Sequence, residues 1–240
     1  MSVSDARDSR DRRSISFITC FDNESLYARC RESIARLMSP EFDVEIVPVD
    51  NTAQRYASPA ALNFGRSQAS GEWLVFCHQD ITFPKDWLTH LTSALTALQT
   101  ASPPWAVAGP IGRADKRFYG HIEDAEGTIA RFEPLPSLVD TLDECCLVIR
   151  ADLPFAFDER LGGHHLYGVD LCLQITEAGY GAYAIDVPCH HASSTVHRPP
   201  EYHHIKRKLQ RKWRFARRRV ASSIGTTCGR IRLAWYEGWI

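Results

Sequence analysis

Long apolar runs are missing from this chain of 240 residues: none approaches the roughly 20 apolar residues that a bilayer-spanning helix needs, which excludes a helical channel or transporter. The opening stretch, Met1 to Arg13, lacks the apolar centre of a secretory signal and offers almost nothing to bury. A disordered lead over residues 1–13 and a cytoplasmic location are therefore expected. Paired cysteine spacing is missing too. The eight cysteines (Cys20, Cys30, Cys77, Cys145, Cys146, Cys172, Cys189 and Cys228) contain no C-x-x-C pair, which argues against a structural zinc site. Most lie inside apolar runs, so buried reduced thiols are the expectation. No internal repeat is visible, which removes solenoids and propellers.

What is present is a chain that is 44% hydrophobic and 24% charged, enough for one domain with a sizeable core. Its formal net charge of −1 conceals an asymmetry: nine basic residues and no acid lie between Lys206 and Arg219, leaving ten excess negative charges on the rest. Leu209, Trp213, Phe215 and Ala216 are spaced so that a helix there gathers apolar groups beside a cationic surface. A basic helix on an anionic membrane surface is the preferred reading, with the inner face of the membrane as its place. A solvated basic tail is the plain alternative, and the acidic body argues against nucleic acid. The expected organisation is thus a lead over 1–13, a domain over 14–198 and a basic amphipathic segment over 199–240.

Strands and helices alternate along the domain. Ile15–Cys20 reads as a strand, and Asp22, Asn23 and Glu24 can cap a helix from Ser25 to Leu37. Val44–Val49 predicts a second strand ending at Asp50 and Asn51. Pro59–Ser70 has helical spacing, Trp73–Cys77 reads as a buried strand, and Pro84 opens a helix carrying Trp87, Leu88, Leu91 and Leu95. Trp105–Gly109 and Cys145–Ile149 are further strands, separated by a polar stretch, Arg113–Pro136, read as an insertion or loop. After the loop Gly162–Gly168 comes a helix from Val169 to near Gly179, then a last strand, Ala182–Val187, delivering His190 and His191. The pattern predicts a doubly wound, mostly parallel α/β sheet.

Ligands bind such sheets at the carboxyl ends of the strands. Asp50, Asp80, the loop leading to Asp170, and the pair His190 and His191 all stand at predicted strand or loop ends. Singly each has a bland explanation as a turn carboxylate, a helix cap or an exposed loop residue. Together they point to a site for a cation and a phosphate, because hard carboxylate oxygens suit Mg or Mn and the cation offsets phosphate charge.

From Ile15 to Ser194 the order of these motifs resembles the GT-A glycosyltransferases, specifically the large inverting family that uses nucleotide-diphosphate sugars. The resemblance implies that Thr19, Asp22, Asn23 and Glu24 contact the nucleotide and that Asp50 with Asn51 hydrogen-bonds its base. Asn63 and Gly65 look like that family's Asn-x-Gly helix. His78-Gln79-Asp80 takes the place of its Asp-x-Asp motif. The first Asp is replaced by His78, so Asp80 keeps the metal role, while His78 and Gln79 are assigned to ribose or phosphate. His190 or His191 matches the histidine that completes the metal site, with His190 favoured. An ungapped match puts Gly168 where relatives carry the catalytic base; Asp170, in Tyr167-Gly168-Val169-Asp170-Leu171, becomes the candidate base, with His164 and His165 as substitutes.

The implied reaction is metal-dependent, inverting transfer of a sugar from a nucleotide-diphosphate sugar to a hydroxyl on a glycan or lipid-linked acceptor, in glycan or polysaccharide assembly. Two alternatives remain. One is a catalytically inactive nucleotide-sugar-binding protein, which the residue at 168 permits. The other is a nucleotidyltransferase, disfavoured because the segment after Thr19 has neither a glycine nor a lysine to cradle phosphate.

Overall fold

The computed structural model describes residues 13–115, 117–127, 129–192 and 200–214. Most of the expected lead and the basic segment beyond residue 214, with Cys228, thus lie outside the described residues. Arg13 already belongs to the first strand, β1 (Arg13–Phe21), followed by α1 (Glu24–Ala35), β2 (Phe42–Asp50), α2 (Ser58–Gln68) and β3 (Trp73–Cys77). Local chemistry starts these helices. Asn23 Oδ1 accepts the amides of Ser25 and Leu26, each at 3.1 Å, which caps α1. Pro59 opens α2, where its missing N–H costs nothing. All five residues of β3 are buried, as its unbroken apolar run requires.

The chain continues with β4 (Ile81–Thr82), α3 (Trp87–Ala97), β5 (Trp105–Gly109), β6 (Ile111–Ala114), β7 (Arg117–Glu123), β8 (Ile129–Phe132), β9 (Ser137–Val139), β10 (Thr141–Leu142) and β11 (Cys146–Arg150). It ends, within the described residues, with α4 (Tyr167–Glu177), β12 (Gly181–Ala184), β13 (His190–His191) and α5 (Pro200–Lys212).

The main sheet has the order β2-β1-β3-β11-β5-β12-β9. β1 pairs parallel with β2 and β3, and β5 with β12, while β11 runs antiparallel to both of its neighbours. The reversal of β11 matters for the site: its amino end meets the carboxyl end of β3, with Cys146 opposite Cys77. Tyr27, Cys30 and Ile34 of α1 and Trp87, Leu88 and Leu91 of α3 pack on one face of the sheet. Leu62 of α2 and Leu171, Cys172 and Ile175 of α4 pack on the other. The doubly wound expectation holds, with a mixed sheet. On β1, α2 sits so close that a Cβ at Gly65 would stand 2.5 Å from Ile18 Cγ2.

Two expectations change. The stretch Arg113–Pro136 is not a plain insertion, because much of it builds a second sheet, β10-β6-β7-β13-β4, with β8 paired to β7. Its strands are short and mostly polar, so periodicity alone did not mark them. In the described part of the basic segment the apolar side faces protein, while Phe215 and Ala216 lie outside the described residues. Ile205 and Leu209 of α5 are buried at 1% and 0% exposure, packed with Leu161, Leu166, Val169 and Leu173, and Trp213 covers the same cluster. The apolar side of α5 therefore completes the body. Burying each such aliphatic side chain contributes about 1.5–3 kcal/mol.

The cysteines from Cys20 to Cys189 are free thiols, and all but Cys20 are buried. No helix among the described residues is long and apolar enough to cross a membrane.

Candidate functional site at the carboxyl end of the central strands

The chain leaves β3 in a tight turn. The His78 amide donates to the Cys145 carbonyl at 2.9 Å, and the Ile81 amide donates to the His78 carbonyl at 3.2 Å. This turn holds Asp80 just beyond the sheet edge. β13 pairs antiparallel with β4, setting His191 opposite Ile81 and His190 opposite Thr82, and the Ala192 amide donates to the Asp80 carbonyl at 3.0 Å. Because successive strand side chains point to opposite faces, only one of the two histidines can turn toward Asp80. It is His191, whose Nε2 lies 3.5 Å from Asp80 Oδ1.

His78, Asp80 and His191 each offer a ligand atom, all within 4.8 Å of one another. Two ligands of a first-row dication, each about 2.1 Å from it, stand roughly 3–3.5 Å apart, so the observed 3.5 Å fits a shared ion. At His78 the electrostatics agree with the geometry. Burial, reinforced by the charge of His191, pushes the His78 pKa down and keeps its imidazole neutral, the form that binds metal. Burial works against the charge on His191, but its hydrogen bond to Asp80 and the charges of Asp80 and Asp143 outweigh it and hold its pKa above the usual range. Tyr167 supports the group, with its hydroxyl 3.0 Å from His78 Nε2. These residues fit a divalent cation.

Beside them opens a cleft of about 400 Å³, within the range of small-ligand sites. Asp22 and Gln79 line it as a locked pair: Gln79 Oε1 accepts the amides of Asp22 and Asn23 at 3.0 and 2.8 Å, and Gln79 Nε2 donates to Asp22 Oδ1 at 2.6 Å. Asn51 lines it too and shapes its own loop, donating to the Tyr56 carbonyl and accepting the Tyr56 amide, both at 2.9 Å. His164 closes another side, its Nδ1 2.9 Å from Ser58 Oγ.

Other expected site residues take structural places. Thr19 is 1% exposed and its hydroxyl lies 3.1 Å from Cys77 Sγ. Asn23 caps α1, and Glu24 is an exposed first-turn acid of that helix. Asp50 is exposed and bonds the Thr52 amide and hydroxyl at 2.9 and 2.7 Å, which holds its carboxyl below the usual range. Asn63 clamps the chain at Phe157, donating to its carbonyl at 2.9 Å and accepting its amide at 3.0 Å. None of these five lines the cleft. His190 lies on the face of β13 turned from Asp80 and is not in the cluster.

Asp170 also stands elsewhere. It is 0% exposed, takes Lys212 Nζ and Gln174 Nε2 on Oδ2, each at 2.8 Å, and takes Trp213 Nε1 on Oδ1 at 2.7 Å. Lys212 also reaches Asp158 at 2.8 Å. Both Asp170 oxygens are thus occupied by α5 and α4, so the expected proton-accepting role has no access to the cleft.

Among the cleft residues that escaped the sequence reading are Tyr167 and Glu144. In a parallel sheet the residue before a strand lies at the edge away from the ligands, so Glu144 carried no signal. The reversal of β11 puts it on the ligand side. There, Glu144 Oε1 accepts the Gly168 amide at 3.0 Å, with the amides of Leu166 and Tyr167 nearby favouring its charged form. Burial, with help from the charge of Asp143, pushes its pKa up to about 8 against those amides.

Comparison with known proteins agrees with this architecture. Residues 16–100, from β1 through α3 and including His78, Gln79 and Asp80, match the model described as "Glycosyltransferase like family". A curated protein of Fuscovulum blasticum, named "ATP synthase subunits region ORF 6", is 28% identical, covering 95% of both chains. Among solved structures, S. aureus TarS 1-349 superposes with a TM-score of 0.53 at 15% identity, over 83% of this chain and 65% of that one. The same protein has been solved in complex with UDP-GlcNAc. The mannosyltransferase PcManGT from Pyrobaculum calidifontis, solved with GDP-Man and Mn2+, gives a TM-score of 0.52 at 15% identity, over 85% of this chain and 71% of that one. The chain therefore spans about two thirds of the TarS chain it resembles. It has the fold of the GT-A glycosyltransferases, and residues 16–100 carry the match to the glycosyltransferase-like family.

Proposed function

We propose that this protein transfers a sugar from a nucleotide-diphosphate sugar to a hydroxyl acceptor, with inversion at the anomeric carbon. The observation that carries the reading is the convergence of His78, Asp80 and His191 beside a cleft lined by Asp22, Asn51 and Gln79. Asn51 and Asp22, which line the same cleft as His78 and Asp80, are assigned to the base and the ribose. Two imidazoles with one carboxylate suit Mn better than Mg, which prefers oxygen ligands. Held there, the cation supplies Lewis-acid neutralisation of the charge on the departing diphosphate. The Tyr167 hydroxyl fixes the ring of His78, and Gln79 fixes the Asp22 loop, so the donor meets a prepared surface. The acceptor is taken to be a glycan or a lipid-linked glycan.

The cationic face of α5 supports a peripheral membrane location in electrostatic form: Arg207 and Arg211 are exposed while Ile205 and Leu209 face the body. One observation favours the second reading, a nucleotide-sugar-binding protein that transfers nothing: Asp170 is sealed behind Lys212 and Trp213. Labelled UDP-GlcNAc and GDP-mannose with Mn separate the two. Release of nucleotide, by hydrolysis or by transfer, is the expected outcome, and saturable binding without release supports the second reading.

A further inference from the structure

The geometry points to Glu144 as the group that takes the acceptor's proton, delivered by the amino end of β11 instead of by α4. This rests on the transferase reading. An attacking hydroxyl must lose its proton inside the cleft, and three carboxylates line it among the described residues: Asp22, Asp80 and Glu144. Asp22 is bound by Gln79 at 2.6 Å, and Asp80 belongs to the cation cluster with His191. Among the described residues no cationic side chain bonds Glu144; its carboxylate accepts the Gly168 amide at 3.0 Å.

The structure also shows why the carboxylate comes from Glu144 and not from the helix below it. α4 begins after Leu166, whose φ of 66° is left-handed, with no side-chain cap of its own. Glu144 takes over that cap from the neighbouring strand. A Cβ at Gly168 would stand 2.8 Å from Glu144 Cγ, so a side chain at position 168 and the Glu144 side chain compete for one space. Glycine at 168 admits Glu144 into the first turn of α4. In the reaction, the acceptor oxygen bonds to the anomeric carbon as its O–H bond breaks, and the proton passes to Glu144. The bond from the anomeric carbon to the diphosphate oxygen breaks, and its electron pair leaves with the nucleoside diphosphate. The proton then passes from Glu144 to water. Burial raises the basicity of the carboxylate, and the ionised form that accepts the proton grows as pH rises through about 8.

The test combines calorimetry of UDP and GDP binding in the presence of Mn with nucleotide release from UDP-GlcNAc and GDP-mannose, on the full chain. Glu144→Gln keeps an oxygen for the α4 amides and removes the basic group. It is expected to bind nucleotide with unchanged affinity and to lose roughly 10²- to 10⁴-fold in kcat. If Glu144→Gln is poorly folded, the pair Glu144→Ala and Glu144→Ala/Gly168→Asp replaces it. The double variant returns a carboxylate to the vacated space and is expected to recover at least tenfold over the single one. Release within twofold of the unsubstituted protein in Glu144→Gln, or no recovery in the double variant, overturns the proposal. So does a larger kcat loss in His164→Gln than in Glu144→Gln. Mn-dependent binding without release by the unsubstituted protein also overturns it, and leaves the donor-binding reading standing. No binding of either nucleotide overturns the transferase reading itself.

Discussion

Asp80 and His191 form the pair on which the cation reading turns, and each makes a separate prediction. Asp80→Ala removes the only carboxylate of the cluster, so Mn-dependent UDP or GDP binding should fall by more than the roughly 10- to 100-fold that loss of a supporting partner costs, with an unchanged circular dichroism spectrum. Calorimetry checks it. His191→Ala should match that loss, while His190→Ala, turned to the other face of β13, should bind as the parent does. Glu144 predicts a pH effect on stability. Its folded pKa, about 8, lies above the usual 4.5, so the folded state holds the proton more tightly. That contribution is complete below pH 4.5 and is lost as pH rises through about 8, with Asp143, Tyr167 and Cys172 as its titratable neighbours. Thermal melts should therefore show Glu144→Gln gaining on the parent as pH rises from 5 to 9. At this scale the sequence was legible where a residue stands next to a strand it follows, as Asp80 does. It was not legible where placement depends on pairing: choosing His191 over His190 needs the register of β13 with β4.

At the scale of elements, α5 is the largest departure from expectation. The spacing of Leu209 and Trp213 correctly marks an amphipathic helix, but spacing cannot say whether lipid or protein covers the apolar side. The structure answers through Leu161, Leu166, Val169 and Leu173, and through Lys212 and Trp213 on Asp170. Removing one partner of a buried ion pair costs about 3–5 kcal/mol. Lys212→Met should accordingly lower the melting temperature by about 10 °C, and Leu209→Asp by at least as much, in differential scanning calorimetry. β11 is the second case. Its apolar run, Cys146–Ile149, announced a strand, and nothing in that run carries direction. Antiparallel insertion between two strands that run the same way moved Glu144 from the far edge of the sheet to the cleft.

Across the whole molecule the alternation of strands and helices was enough to predict a doubly wound sheet, because each element is long and apolar enough to declare its period. The second sheet was hidden, since strands such as β13 and β4 hold two residues each and gain their stability from neighbours. The charge distribution is likewise a property of the whole. An acidic body carrying a cationic helix should bind vesicles containing phosphatidylserine and ignore neutral ones. Replacing Arg207 and Arg211 with Ser should weaken that binding by about 2 kcal/mol, roughly 30-fold, at low salt, and the difference should shrink as salt rises. Vesicle sedimentation measures both. The docking of α5 has one more consequence, in the order of synthesis. A ribosome makes Asp170 well before Lys212 and Trp213, so a chain interrupted at residue 199 leaves that carboxylate without two of its donors, beside an uncovered apolar patch of Leu161, Leu166, Val169 and Leu173. An uncovered apolar patch of this kind is an aggregation liability, so the docking of α5 is also what keeps the finished chain from associating with its copies.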